Sequence, residues 1–123
     1  MCRIHHSLID FDISSNFYEK RGICMSYEPK IKSEEIDLLF DAILCLTSQE
    51  ECYRFFEDIC TIKELQSIAQ RLHVARLLQE KKTYSDIEYI TKASTTTISR
   101  INKCLLYGAD GYRLILDRLA QEE

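Results

Sequence analysis

Residues 83–106 read TYSDIEYITKASTTTISRINKCLL, and this stretch decides the fold that we expect. It is typical of two short helices joined by a tight turn. Thr83 can cap the first helix, with Asp86 at the capping-box spacing, and Ser94 can cap the second. Apolar residues recur at helical spacing behind both caps, so each helix has one inner face. The apolar positions are Ile87 and Ile90 in the first helix, and Ile98, Ile101 and Leu105 in the second.

The outer face of the second helix carries short hydroxyl side chains and two long cations, but no acid. Its residues are Thr95, Thr96, Ser99, Arg100 and Lys103. A helix that enters the major groove, about 12 Å wide, needs small polar side chains for close approach. Arginine can form two hydrogen bonds with a guanine edge, and a capped helix N-terminus offers N–H groups to a phosphate. The stretch therefore predicts a helix-turn-helix that reads DNA; the alternative is a surface helical hairpin that binds no nucleic acid.

This motif supplies the residues predicted to contact double-stranded DNA. We expect the recognition helix to run from about Thr95 to Leu106. Its side chains predicted to contact base edges are Thr95, Thr96 and Arg100. Phosphate contacts are predicted for Thr83, Tyr84, Ser94, Thr97, Ser99 and Lys103. Lys92 stands in the turn, where many such motifs carry glycine.

A net charge of −4 is unusual for a DNA-binding protein, but the charge is unevenly distributed along the chain. Residues 25–60 hold 3 basic and 9 acidic side chains, whereas residues 61–123 hold 10 basic and 8 acidic ones. From Lys92 to Ala109 there are three cations and no acid. Local charge governs binding more than total charge does, so the imbalance agrees with a DNA-binding C-terminal half.

The remaining chain predicts an all-α fold of about six helices. Further helices are expected after Ser33, after Ser48, from Thr61 to about Glu80, and after the break at Ala109–Gly111. Their apolar stripes are expected to form the core. These stripes are wide for a chain of this size, which favours a homodimer with two recognition helices about 34–36 Å apart. No stretch approaches the roughly 18 apolar residues of a membrane span, and we expect a cytoplasmic protein.

The first 24 residues differ from the rest of the chain. Glu19–Gly22 can be encoded by a purine run that resembles a bacterial ribosome-binding site, and Met25 follows two codons later. We therefore expect residues 1–24 to be a non-native or disordered leader, with residues 25–123 forming one helix-turn-helix domain. The alternative is a genuine N-terminal arm. His5 and His6 are a weak metal signal within this segment.

The order of these elements resembles the Trp repressor superfamily. The resemblance rests on Thr61–Leu65 opening a long helix, on Arg71–Leu78 within it, and on the helix-turn-helix that follows. It is strongest to the YerC/YecD-type Trp-repressor-like proteins of Gram-positive bacteria and covers roughly Tyr27–Ala120. It implies an intertwined homodimer that binds near-palindromic operator DNA. The expected role is that of a transcriptional regulator, a repressor, and not of an enzyme.

The resemblance also implies a ligand site between the long helix and the recognition helix. In Trp repressor two arginines sandwich the indole of tryptophan. Arg100 matches the arginine of the recognition helix, and Arg71 matches the other if one residue is missing from the turn near Lys81–Lys82; without that gap, Gln70 falls there instead. The repressor has glycine after its recognition-helix arginine, but this chain has Ile101. Because a branched side chain occupies space beside the ring, we do not expect tryptophan as a corepressor. Another small effector, or none, remains open, and no cofactor or metal is expected.

Two other functions compete with the DNA-binding regulator. One is a protein-interaction module that keeps the helix-turn-helix shape without reading DNA. The other is a thiol redox sensor that uses Cys104 on the recognition helix. The cysteines at 45, 52 and 60 lie seven and eight residues apart without a CxxC pair, so we expect small buried hydrophobic residues there.

Overall fold

The computed structural model describes residues 27–122, which form helices and connecting turns without a β-strand. The expected all-α fold is confirmed. Within the described range the helices are α1 (Glu34–Leu44), α2 (Gln49–Ile59), α3 (Ile62–Gln79), α4 (Tyr84–Thr91), α5 (Thr95–Tyr107) and α6 (Gly111–Glu122). None of these helices is long and apolar enough to cross a membrane. The expected leader, with His5 and His6, lies outside the described residues.

The helix starts follow from the capping residues that the sequence predicts. Side-chain oxygens of Ser33, Thr61, Thr83 and Ser94 each accept the N–H group of the third residue after them. At α3 the box is reciprocal, since the Thr61 N–H and hydroxyl groups both donate to Glu64 Oε2 at 2.8 Å. These bonds stabilise the carboxylate form and lower the pKa of Glu64 below its ordinary value. The caps fix where the helices begin before any tertiary packing is considered.

The N-terminal unit, which ends at Cys52, has no buried side chain on α1. The predicted stripe was Ile36, Leu39, Phe40, Ile43 and Leu46. Phe40 is 52% exposed and the other four side chains are only half-buried. The expectation that the α1 stripe lies in the core is therefore wrong for this single chain. A stripe is buried only where another element packs on it, and the sequence pattern does not say which element that is.

The C-terminal unit, from Tyr53, contains the core of the described chain. Helix α3 packs against α4, α5 and α6, and α5 also packs against α4 and α6. The buried residues come from α3, α4, the turn after α4, α5 and α6: Val74, Ala75, Leu77, Ile87, Ala93, Ile98, Ile101, Leu105 and Leu116. The helix-turn-helix is thus held against the second half of α3.

Burial along α3 differs from the predicted stripe. The predicted stripe was Leu65, Ile68, Leu72, Ala75 and Leu78, with Val74 and Leu77 beside it. Val74, Ala75 and Leu77 are buried, but Ile68 and Leu72 are 55% and 37% exposed. The reason is that α4, α5 and α6 pack on one side of α3, and Leu72, two residues before Val74, lies on the opposite side of the helix.

The cysteines also depart from expectation. Cys45, Cys52 and Cys60 are half-buried, and Cys104 is exposed on α5. The prediction that the first three are small buried hydrophobic residues is therefore correct only in part. Within residues 27–122, no group of three or more His, Cys, Asp or Glu side chains could hold a metal ion.

Gly108 follows the last residue of α5, and the structure has no room for a side chain at this position. Its N–H group donates to the Cys104 carbonyl at 2.8 Å, and a Cβ atom added to Gly108 would overlap that same carbonyl oxygen. We expect Gly108→Ala to lower the free energy of unfolding by about 1–3 kcal/mol, because the end of α5 must shift to accept the methyl group. Urea denaturation measures this change.

Gly111 provides the matched control for that substitution. It is the first residue of α6, and an added Cβ meets no atom within 4 Å. Gly111→Ala should leave stability unchanged or raise it by about 0.4–1 kcal/mol through the entropy of the unfolded chain. Equal losses for the two variants would contradict the account of Gly108.

Candidate nucleic-acid interface

Helices α4 and α5 form a helix-turn-helix with a turn of three residues, Lys92, Ala93 and Ser94. Lys92 adopts the left-handed conformation, with φ 58° and ψ 16°. This is the position where glycine is common in such turns, and a non-glycine residue there has a backbone cost. The Lys92 ammonium lies 4.6 Å from the centre of the Tyr89 ring. A cation–π contact of this kind at an exposed site contributes about 0.5–1 kcal/mol.

Side chains from two helices hold the turn. The Thr91 hydroxyl donates to the Ile87 carbonyl at 2.7 Å and accepts the Ala93 N–H at 3.2 Å. The Gln70 side chain, on α3, donates to the Thr91 carbonyl at 2.9 Å. The sequence analysis gave neither Thr91 nor Gln70 a role in holding the turn. Threonine side chains in helices often donate a hydrogen bond to the carbonyl four residues back, so this bond of Thr91 was predictable. The bond of Gln70 was not, since its partner is 21 residues away in the chain.

The inner face of α5 is buried and its outer face is exposed. Ile98, Ile101 and Leu105 are at most 8% accessible, which fixes the rotation of the helix about its axis. The outer residues that the sequence predicted are exposed together: Thr95, Thr96, Ser99, Arg100 and Lys103. No acidic residue lies in the first turn of α5. The structure thus brings these five predicted contact residues onto one continuous, acid-free surface.

The other predicted phosphate contacts lie at the helix caps. The Thr83 hydroxyl donates to Asp86 Oδ2 at 2.7 Å, and the Ser94 and Thr97 hydroxyls are 3.0 Å apart. Thr97 is half-buried, whereas Thr83, Tyr84 and Ser94 are exposed. The hydroxyl groups of Thr83, Ser94 and Thr97 already form hydrogen bonds within the caps. An anion at these helix starts would therefore be bound mainly by backbone N–H groups. The first N–H groups of a helix have no intrahelical partner, and at α5 they belong to Thr95 and Thr96.

The two arginines predicted for a ligand site are both exposed. Arg71 lies near Tyr112: burial raises the pKa of the Tyr112 phenol, nearby Cys104 raises it further, and Arg71 opposes them. The side chain that follows Arg100, Ile101, is only 4% exposed and belongs to the core. Its position is therefore filled by protein.

An open groove lies elsewhere, between α3 and the end of α4. Its volume is about 520 Å³, and neither Arg71 nor Arg100 lines it. The lining is mainly polar: Lys63, Gln66, Ser67, Ala69, Gln70, His73, Ile90 and Thr91. His73 is exposed there. The groove also contains both members of the Gln70–Thr91 hydrogen bond.

A long helix that supports a helix-turn-helix is an arrangement with counterparts among known proteins. The family model for Trp repressor protein matches residues 34–120, which includes all six described helices almost completely. The chain belongs to the Trp repressor family. Both the match and the helical order agree with the resemblance seen in the sequence.

Relatives within the Trp repressor family are similar over most of their length. The uncharacterized protein YerC of Bacillus subtilis strain 168 is 56% identical over 94 residues, which cover 76% of this chain and 90% of YerC. A crystal structure of a protein proposed as a Trp repressor from Staphylococcus aureus has a TM-score of 0.71 at 49% identity, over 74% of this chain and 91% of that one. A TrpR-like protein from Eubacterium eligens gives a TM-score of 0.72 at 50% identity, over 74% and 94%. The YerC-type, Trp-repressor-like assignment is confirmed.

Proposed function

We propose that this protein is a homodimeric, sequence-specific DNA-binding regulator that represses transcription at a near-palindromic operator. The observation that carries the proposal is the exposed, acid-free face of α5, with Arg100 and Lys103 projecting from a helix-turn-helix. Membership of the Trp repressor family supports it. The role is that of a regulator and not of an enzyme.

The dimensions and chemistry of α5 suit the major groove. Its 13 residues span about 20 Å, and its groove-facing side chains near the N-terminus are threonines and a serine. Short side chains let the backbone approach base edges, and the Arg100 guanidinium can reach deeper to a guanine. Backbone N–H groups at the starts of α4 and α5 are suited to phosphates on either side of the groove.

A second copy of the chain would cover the apolar surface that a single chain leaves exposed. Exposed apolar side chains occur on α1, on α2 and in the first turns of α3: Leu38, Phe40, Leu44, Tyr53, Ile59, Ile62 and Ile68. Monomeric proteins rarely leave this much large apolar surface in water. In a homodimer with two-fold symmetry, the two recognition helices would meet successive turns of the duplex.

Tryptophan is not the effector in this proposal. The glycine position of Trp repressor is taken by Ile101, whose side chain is buried in the core. A ligand ring placed beside Arg100 would compete with that side chain for space. Any small effector therefore differs in shape from tryptophan, and operator binding without an effector is also compatible with this structure.

Selection of genomic DNA fragments by the purified full chain, at about 150 mM salt, tests the proposal. Two-fold symmetric sites with half-sites one helical turn apart are expected among the bound fragments. Sedimentation of the same protein should give the mass of a dimer. If no sequence is enriched, with or without pooled metabolites, the DNA-binding function is wrong and a protein-interaction role takes its place.

Lys103 is expected to contribute to binding through a phosphate. Replacing it with alanine should make the plot of log K against log salt concentration shallower by about one unit, because one fewer counterion is released. Fluorescence anisotropy of the selected operator at several salt concentrations gives this slope. Affinity should fall to a similar extent on operator and random DNA.

Arg113 supplies a charge-matched control for Lys103. It lies on α6, 3.8 Å from Asp110, and was not predicted to contact DNA. Arg113→Ala removes the same charge but should leave the slope unchanged. If both variants change the slope equally, the effect is one of net charge and Lys103 does not contact a phosphate.

A further inference from the structure

The turn before the recognition helix is held by directional bonds as well as by packing. Thr91 is the last residue of α4, and its hydroxyl joins the Ile87 carbonyl to the Ala93 N–H. Its carbonyl receives the Gln70 amide from α3. One residue therefore connects three points: the body of α4, the residue before the α5 cap, and the long supporting helix.

Apolar packing alone does not fix this geometry. Ile98 and Ile101 anchor the inner face of α5, but apolar contact is non-directional. The turn contains Lys92 in the left-handed region, which is unfavourable for a non-glycine residue. The hydrogen bonds around Thr91 are favourable interactions that help to offset this cost.

The hydrogen bonds around Thr91 lie next to the start of α5 and therefore affect its position. Ala93 is 2% exposed and immediately precedes the Ser94 cap, so a shift of the Ala93 backbone moves the start of the recognition helix. The residues predicted to reach bases, Thr95 and Thr96, are the first two of that helix. Base contacts require exact hydrogen-bond geometry, whereas phosphate attraction tolerates displacement.

We propose that Thr91 and Gln70 are positioning residues for specific DNA recognition: they fix the turn from which α5 starts without touching DNA themselves. The proposal rests on the DNA-binding function argued above. Loss of the bonds should reduce preference for the operator over random DNA, while the charge-driven attraction to any duplex stays intact.

Thr91→Val tests this with an almost isosteric change that removes the hydroxyl. Thr91→Ser is the matched variant, since it keeps both hydrogen bonds and loses only a methyl group. For the full chain, the ratio of operator affinity to random-duplex affinity should fall about tenfold in Thr91→Val, the equivalent of one to two hydrogen bonds. In Thr91→Ser the ratio should stay within about threefold of the native value. Amide exchange of Ala93 should also become faster in the valine variant only.

The outcomes separate the two proposals. A native chain that prefers no DNA sequence would overturn the DNA-binding function, and this proposal with it. A native chain with a preference that Thr91→Val retains would overturn only the positioning role, whether or not Ala93 exchange changes. If Thr91→Val does not fold, the operator preference of Gln70→Met is measured instead. This substitution removes the amide donor at a similar side-chain volume. A lower operator preference then supports the role and an unchanged preference refutes it.

Discussion

Arg100→Ala is expected to weaken operator binding by about 1–3 kcal/mol, or roughly 5- to 150-fold in the dissociation constant. Arg100 is exposed one helical turn beyond the Thr96 position, on the outer face of α5, with Ile101 behind it in the core. The buried neighbour limits how far the helix can rotate, so the guanidinium keeps facing away from the core. The two hydrogen bonds that we expect the guanidinium to donate to a guanine edge are lost with the side chain.

The comparison of operator with random DNA decides what Arg100 does. Random DNA should lose much less affinity than the operator, since only a phosphate attraction is removed there. Arg100→Lys is the matched variant: it keeps the charge but not the two-pronged donor. Lysine should restore binding to random DNA and leave the operator preference reduced. Equal losses on both duplexes for Arg100→Ala would show that Arg100 contacts only the backbone.

Ile98→Ala is expected to lower the free energy of unfolding by about 2–5 kcal/mol. Ile98, on α5, is fully buried. It belongs to the same core cluster as Val74 on α3 and Ile87 on α4. Removing its outer carbons takes away apolar contact from all of these elements and leaves a cavity. Since natural domains are stable by only about 5–15 kcal/mol, this variant should unfold at markedly lower urea concentration.

Ile90→Ala measures the same chemical change at an exposed position. Ile90 is on α4, eight residues before Ile98. The sequence predicted it on the inner face of that helix, but this is wrong, since Ile90 is 48% exposed. Its truncation should lower the free energy of unfolding by about half as much or less, because about half of its surface stays in water on folding. Ile98→Val, which deletes one methyl group, should fall between native and alanine at about 0.5–1.5 kcal/mol. A cost at Ile90 equal to that at Ile98 would contradict the assigned core.

The helix-turn-helix was predictable because its signals are local. A side-chain cap acts over three residues and a helical repeat over four, so Thr83, Ser94 and the apolar spacing were sufficient to place α4 and α5. The predicted recognition helix, about Thr95 to Leu106, differs from the observed one by a single residue at its end. The predicted outer face of α5 is also the exposed face.

The failures share a different cause. Phe40 and Ile68 belong to predicted apolar stripes, as Ile98 does, but they are exposed whereas Ile98 is buried. Burial depends on which element returns to cover a face, and that is a contact between residues distant in the chain. Gln70 illustrates the same point, since nothing near it in sequence indicates that its partner is the carbonyl of Thr91.

The sequence by itself determined the helices, their caps, the helix-turn-helix and the family, because each depends on neighbouring residues or on the order of short motifs. Only the tertiary structure decided two further features. It selected Val74, Ala75 and Leu77 as the part of α3 that forms the core. It also brought Gln70 to the turn before α5, because long-range packing and hydrogen bonding depend on the path of the whole chain.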